Sequence, residues 1–140
     1  MTEVTKATDV SAVSPQDVVA ITLPASSAYL SVLRTATAGL AARLDFTIDE
    51  IEDMRIAVDE ASAMLLPQAL PGAELTCEFS LDKDAMTVSV SVMTIDGVEP
   101  PRDTFAWTVL AALAGEVSSD TDVDKRVTIT LCKHRSRSEA

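Results

Sequence analysis

A chain of 140 residues is long enough to enclose one substantial core and too short for two. Its 22 acidic residues outweigh 11 basic ones, giving a formal net charge of -11. That repels a phosphate backbone, so direct nucleic-acid binding is not expected and a basic protein partner suits the surface, although acidity also serves simply to keep a domain soluble. With only 4 glycines and 6 prolines a fibrous or wholly disordered chain is excluded, and no apolar run reaches membrane-spanning length, so a cytoplasmic domain without membrane contact is expected.

Met1 to Ser14 are small, polar and aperiodic, and Pro15 follows. Residues 1–15 are therefore expected to form a disordered leader, residues 16–133 the folded domain and residues 134–140 a basic tail. Val19, Ile21 and Leu23 alternate with Ala20 and Thr22, predicting a half-buried strand that Pro24 ends. Ser26 or Ser27 can cap a helix whose apolar stripe is Tyr29, Val32, Leu33, Ala36, Leu40 and Leu44. Arg34 and Arg43 fall off that stripe. Exposed helix arginines are usually solvated, and Arg34 is also a candidate partner contact. Thr47-Ile48-Asp49-Glu50 has the form of a capping box and predicts a second helix, with Ile48, Ile51, Met54, Val58, Ala61 and Leu65 facing inward. The helix dipole alone accounts for Asp49, Glu50, Glu52 and Asp53 in its first turns. Pro67 and Pro71-Gly72 stop it.

Two alternating runs follow, Leu75, Cys77, Phe79 and Leu81, then Met86, Val88, Val90 and Val92. Joined by Asp82-Lys83-Asp84, they predict a β-hairpin with Thr87, Ser89 and Ser91 on its wetter side. After a loop from Thr94 to Asp103, Phe105 to Ala114 predicts a third helix with Ala106, Val109, Leu110 and Leu113 on one face and Gly115 as its stop. A polar, acidic turn from Ser118 to Asp124 leads to a last strand with Val127, Ile129 and Leu131 inward. Cys77 and Cys132 then point to opposite faces, which disfavours a disulfide. Neither has metal-ligand spacing or a CxxC partner, so no metal site is expected. His134, in the basic stretch His134-Arg135-Ser136-Arg137, reads as a solvated chain end. The order β-α-α-β-β-α-β fits an α/β two-layer sandwich, a mixed, mainly antiparallel sheet with three helices on one face.

The order of elements, the phrase Met54-Arg55-Ile56-Ala57-Val58-Asp59-Glu60-Ala61 and the later Thr104-Phe105-Ala106-Trp107-Thr108-Val109-Leu110-Ala111-Ala112-Leu113 together resemble the RsbW-type anti-sigma factors. These are serine protein kinases of the GHKL (histidine-kinase-like) ATPase superfamily. The likeness covers roughly Val18 to Lys133 and is closest to short actinobacterial members. It implies a Bergerat-type sandwich, usually a homodimer, that sequesters an alternative sigma factor. A STAS-domain anti-anti-sigma protein switches it, and active kinases phosphorylate that protein on serine with ATP and Mg.

Carried onto this chain, the resemblance puts Glu60 at the family's catalytic carboxylate and Met64 where an asparagine holds Mg. A thioether is a soft donor that a hard Mg ion does not choose over oxygen. In the family's Asp-x-Gly motif, Gly97 aligns with the glycine, Ile95 takes the adenine-binding aspartate's place, and Asp96 stands one residue off. Asp96 and Gly97 are nucleotide-binding candidates if a bulge re-aims Asp96, and a plain turn otherwise. Val98 to Ala114 holds no glycine, with Thr104 and Ala106 in glycine places and Pro100-Pro101 stiffening the lid, while Asp124-Lys125 replaces a Gly-Thr pair. The expectation is a partner-switching anti-sigma protein with Glu60 vestigial and with neither ATP nor Mg as cofactor. The alternative is an active ATP-dependent serine kinase that uses Glu60 as base. Trp107 reads equally as core or as partner surface.

Overall fold

In the computed structural model residues 17–136 are described. The expected leader lies outside the described residues, as do residues 137–140 of the basic tail. The chain runs β1 (Asp17–Pro24), a 3-10 turn (Ser27–Tyr29), α1 (Leu30–Arg43), α2 (Ile48–Leu65), a 3-10 turn (Leu66–Gln68), β2 (Glu74–Leu81), β3 (Ala85–Met93), α3 (Phe105–Ala114), β4 (Glu116–Thr121) and β5 (Arg126–His134). The five strands form one sheet in the order β1-β2-β3-β5-β4, and every pairing in it is antiparallel. The three helices cover one face, with α2 in contact with α1, α3, β3 and β5. The expected two-layer sandwich is present. Its sheet is wholly antiparallel rather than mixed.

The inward rows Leu75, Cys77, Phe79 and Leu81 of β2, Met86, Val88, Val90 and Val92 of β3, and Val127, Ile129 and Leu131 of β5 are all buried. They meet Met54, Ala57, Val58, Ala61 and Leu65 of α2 in one core. Pro24 is tolerated at the end of β1 because β1 is an edge strand, where a missing N–H costs no ladder bond on the open side. Cys77 lies on the helix side and Cys132 on the other, both as free thiols, and burial pushes the Cys77 thiol up to about 12.

Four details differ from the sequence expectation. Glu116–Thr121 is a strand where an acidic turn was expected from Ser118. It is an edge strand with a single large apolar side chain, Val117, so its alternation leaves a thin hydrophobic signal. In α1 the buried row is Leu30, Leu33, Thr37 and Ala41, while Tyr29 and Val32 are exposed. Thr37 enters the core because its hydroxyl donates to the Leu33 carbonyl at 2.7 Å, which satisfies the polar group internally. In α2, Ile48 is 83% exposed. Six residues at about 100° each place it ~120° around the helix from Met54. In α3 the buried residues are Trp107, Leu110 and Ala114, a row rotated from the one expected.

Thr47 and Glu50 form the predicted capping box, with Glu50 N to Thr47 Oγ1 at 3.1 Å and Thr47 N to Glu50 Oε1 at 2.8 Å. The second Glu50 oxygen accepts from Ser136 N at 2.8 Å and from the Ser136 hydroxyl. The end of the described chain is thereby tied to the start of α2. Burial pushes the Glu50 carboxyl up, but the hydrogen bonds from Ser136 and Thr47 outweigh it and hold the group below its ordinary 4.5.

Candidate functional site

The residues singled out by sequence lie on all three helices, on the loop between β3 and α3, and on the turn between β4 and β5. Midway along α2, Asp59 accepts from Arg34 of α1 at 2.7 Å, so the arginine read as a partner contact bridges two helices. It remains part-exposed, with 39% of its side-chain surface open. Glu60, next in sequence, is half-buried, and its carboxylate forms no hydrogen bond or ion pair with any side chain among the described residues. One turn on, Met64 packs its thioether against the core. A free carboxylate and an apolar neighbour therefore stand where a metal-holding pair would need two oxygens.

The β3–α3 loop is organised by Thr94, a buried residue. Its hydroxyl donates to the Lys125 carbonyl at 2.7 Å and accepts from Gly97 N at 2.8 Å. Gly97 has φ +73, and a Cβ there would lie 3.2 Å from Thr121 Cγ2 and 3.3 Å from Lys125 Cγ. Turn conformation and close packing thus both require glycine at this position. Asp96 is exposed and accepts from Val98 N at 3.4 Å, within its own turn, and Ile95 also faces solvent. The structure places Asp96 and Gly97 together in a turn, with the Asp96 carboxylate spent locally.

Beyond Gly97 the chain is strapped to β4. Thr121 Oγ1 donates to the Gly97 carbonyl at 3.0 Å, and Ser119 Oγ donates to Glu99 Oε1 at 2.7 Å. Arg102 donates to the Ser119 carbonyl at 3.1 Å and to its hydroxyl at 3.0 Å. Its guanidinium sits 5.3 Å from the Trp107 ring centroid, a cation–π contact that covers the indole. Pro100 is buried beneath this segment. Thr104 caps α3 by accepting from Trp107 N at 3.2 Å. Thr104, one of the residues that stand in glycine places of the pattern the resemblance implies, therefore carries a side chain with a local structural task. At the β4–β5 turn, Asp122 Oδ1 accepts from Asp124 N at 2.9 Å and from Arg126 N at 3.0 Å, and Lys125 takes φ +69.

Trp107 is buried, whereas Phe105 is 82% exposed. The open aromatic of α3 is the residue that sequence reasoning passed over. The expected row 106, 109, 110, 113 puts Phe105 one turn before Val109, on the inward face, whereas the observed row 107, 110, 114 leaves it facing away. Asp59 was missed for a different reason: its partner is 25 residues away in sequence.

No family model matches the chain. An anti-sigma-F factor RsbW of Mycobacterium tuberculosis is 37% identical over 92 residues, which cover 64% of this chain and 54% of that protein. A serine-protein kinase RsbW of Halalkalibacterium halodurans is 32% identical over 102 residues, covering 62% of this chain and 63% of that protein. The matches thus span between half and two thirds of these relatives. Among solved structures, the RsbU and RsbW domains of a Mycobacterium tuberculosis protein match with a TM-score of 0.64 at 17% identity, over 88% of this chain and 33% of that one. That likeness concerns the fold.

Proposed function

We propose that this homologue of the RsbW proteins is an anti-sigma factor that works by partner exchange. It holds an alternative sigma factor and yields it when a STAS-domain anti-anti-sigma protein competes, without transferring phosphate itself. The observation that carries this reading is Met64, partly buried and packed against the core one turn after Glu60, where a hard Mg ion would need an oxygen. The loop beyond Gly97, fastened to β4 through Glu99 and Arg102, supports it from the other side, since a lid that must open over phosphates does not spend its polar side chains that way. Release is then mass action between two mutually exclusive partners.

The net charge of -11 favours a basic segment of the sigma factor and raises its association rate. Arg34 and Phe105 are the contact residues to test, Arg34 for the 39% of its side-chain surface left open beside Asp59 and Phe105 for its exposed ring. The family likeness also carries a homodimer, which sedimentation velocity measures. Calorimetric titration with Mg-ATP is the primary experiment, paired with pull-down of sigma factors from the same genome. No heat with ATP together with capture of one sigma factor is the expected result. Failure to bind every such sigma factor overturns the reading.

The second reading is an active serine kinase. It is favoured by the Glu60 carboxylate, which has no side-chain partner among the described residues, and by relatives named serine-protein kinase. Micromolar ATP binding, with transfer of labelled phosphate to a STAS protein that disappears in Glu60→Gln, would establish it.

A further inference from the structure

The helix-free face of the sheet carries a side-chain cluster unconnected with α2. In the β4–β5 register Glu116 lies directly across from Cys132, and His134, two residues further along β5, points to the same face because strand side chains alternate. The ligand atoms of Glu116, Cys132 and His134 all lie within 4.8 Å of one another. His134 Nε2 is 3.3 Å from Glu116 Oε2 and 3.9 Å from Cys132 Sγ.

We propose that Glu116, Cys132 and His134 form a three-ligand site for a borderline-soft divalent cation, with Zn2+ the best fit. Zinc bonds of ~2.0–2.1 Å to nitrogen or oxygen and ~2.3 Å to sulfur in a tetrahedron put N and O ~3.3 Å apart and N and S ~3.6 Å apart. Two of the three separations are 3.3 and 3.9 Å and the third lies within 4.8 Å, so rotation of the exposed Glu116 and His134 side chains brings the three ligands to bonding distance of one ion. An ion pair between His134 and Glu116 has no use for the thiol, whereas a metal does. Cys132 Sγ also accepts from Thr87 Oγ1 of β3 at 3.5 Å, the kind of outer hydrogen bond that supports a metal-bound thiolate.

Sulfur and imidazole select zinc or cobalt over magnesium or calcium. Glu116 and Cys132 also line a groove of about 300 Å³ together with Ser118 and Thr130, which leaves room for a water molecule as a further ligand. Bound there, the ion clamps edge strand β4 to the end of β5, immediately before Arg135 and Ser136 reach Asp84 and Glu50. The sequence concealed the site because Glu116 joins the other two ligands only through strand register.

The test uses Co2+ alone as a spectroscopic probe on the full chain under reducing conditions, with Zn2+ as competitor. One equivalent of Co2+ is expected to produce a near-ultraviolet thiolate charge-transfer band with the visible bands of a four-coordinate ion, and one equivalent of Zn2+ to abolish both. Cys132→Ser removes the charge-transfer band, Cys77→Ala leaves it, and Glu116→Gln and His134→Ala each weaken binding at least ~10-fold. The two surface variants keep the test valid should a cysteine variant misfold. Absence of the band at stoichiometric Co2+, its survival in Cys132→Ser, or unchanged affinity in both Glu116→Gln and His134→Ala overturns the site.

Discussion

Replacing Glu50 by alanine removes the acceptor of three hydrogen bonds, from Thr47 N at 2.8 Å, from Ser136 N at 2.8 Å and from the Ser136 hydroxyl. Half of a reciprocal cap contributes about 0.5–1 kcal/mol. A hydrogen bond to a charged acceptor contributes about 1.5–3 kcal/mol, reduced here because Ser136 is exposed and can rehydrate. The expected loss is about 2 kcal/mol, or roughly 6–8 °C in Tm for a domain of this size. The pH dependence has a definite sign. A carboxyl held below 4.5 in the folded state contributes stability that is fully present above its unfolded value and is lost as pH falls through the lower folded value. The gap between wild type and Glu50→Ala is therefore flat near neutrality and narrows on acidification below 4.5. Urea unfolding followed by far-ultraviolet circular dichroism across that range measures it. A loss under about 0.5 kcal/mol, the ordinary scatter of surface changes, or a gap that widens in acid, refutes the assignment of this anchor.

Other consequences are simpler to check. Gly97→Ala forces a Cβ into the 3.2 Å approach to Thr121 at positive φ and is expected to destabilise by about 1–3 kcal/mol in denaturant titration. Met54→Ala, at a fully buried position of α2, is expected to lower unfolding free energy by about 2–5 kcal/mol. A double-mutant cycle on Arg34 and Asp59, whose side chains are each 39% exposed, is expected to give a coupling of no more than about 1 kcal/mol. A large effect of Arg34→Ala on sigma capture would then report on contact with the partner. With Ellman's reagent, half-buried Cys132 is expected to react in the native protein, while Cys77, buried and with its thiol pushed up to about 12, reacts only on unfolding.

The layers of the fold were legible along the chain because helix and strand periods are local properties. The capping box at Thr47, the hairpin through Asp82-Lys83-Asp84 and the stop at Gly115 each rest on residues a few positions apart, and each stands in the structure. That Met64, Ile95 and Thr104 differ from the pattern the resemblance implies is likewise a property of the chain alone. The contacts between distant segments are not. Thr94 joins the Lys125 carbonyl to Gly97, Arg102 lies over Trp107 while holding Ser119, and Glu50 receives Ser136 from 86 residues away. Such links depend on strand order and register, which place distant segments side by side and leave no periodic trace. For the same reason the edge strand β4, with one large apolar residue, and the Glu116, Cys132 and His134 cluster that it completes emerge only when β4 is laid against β5.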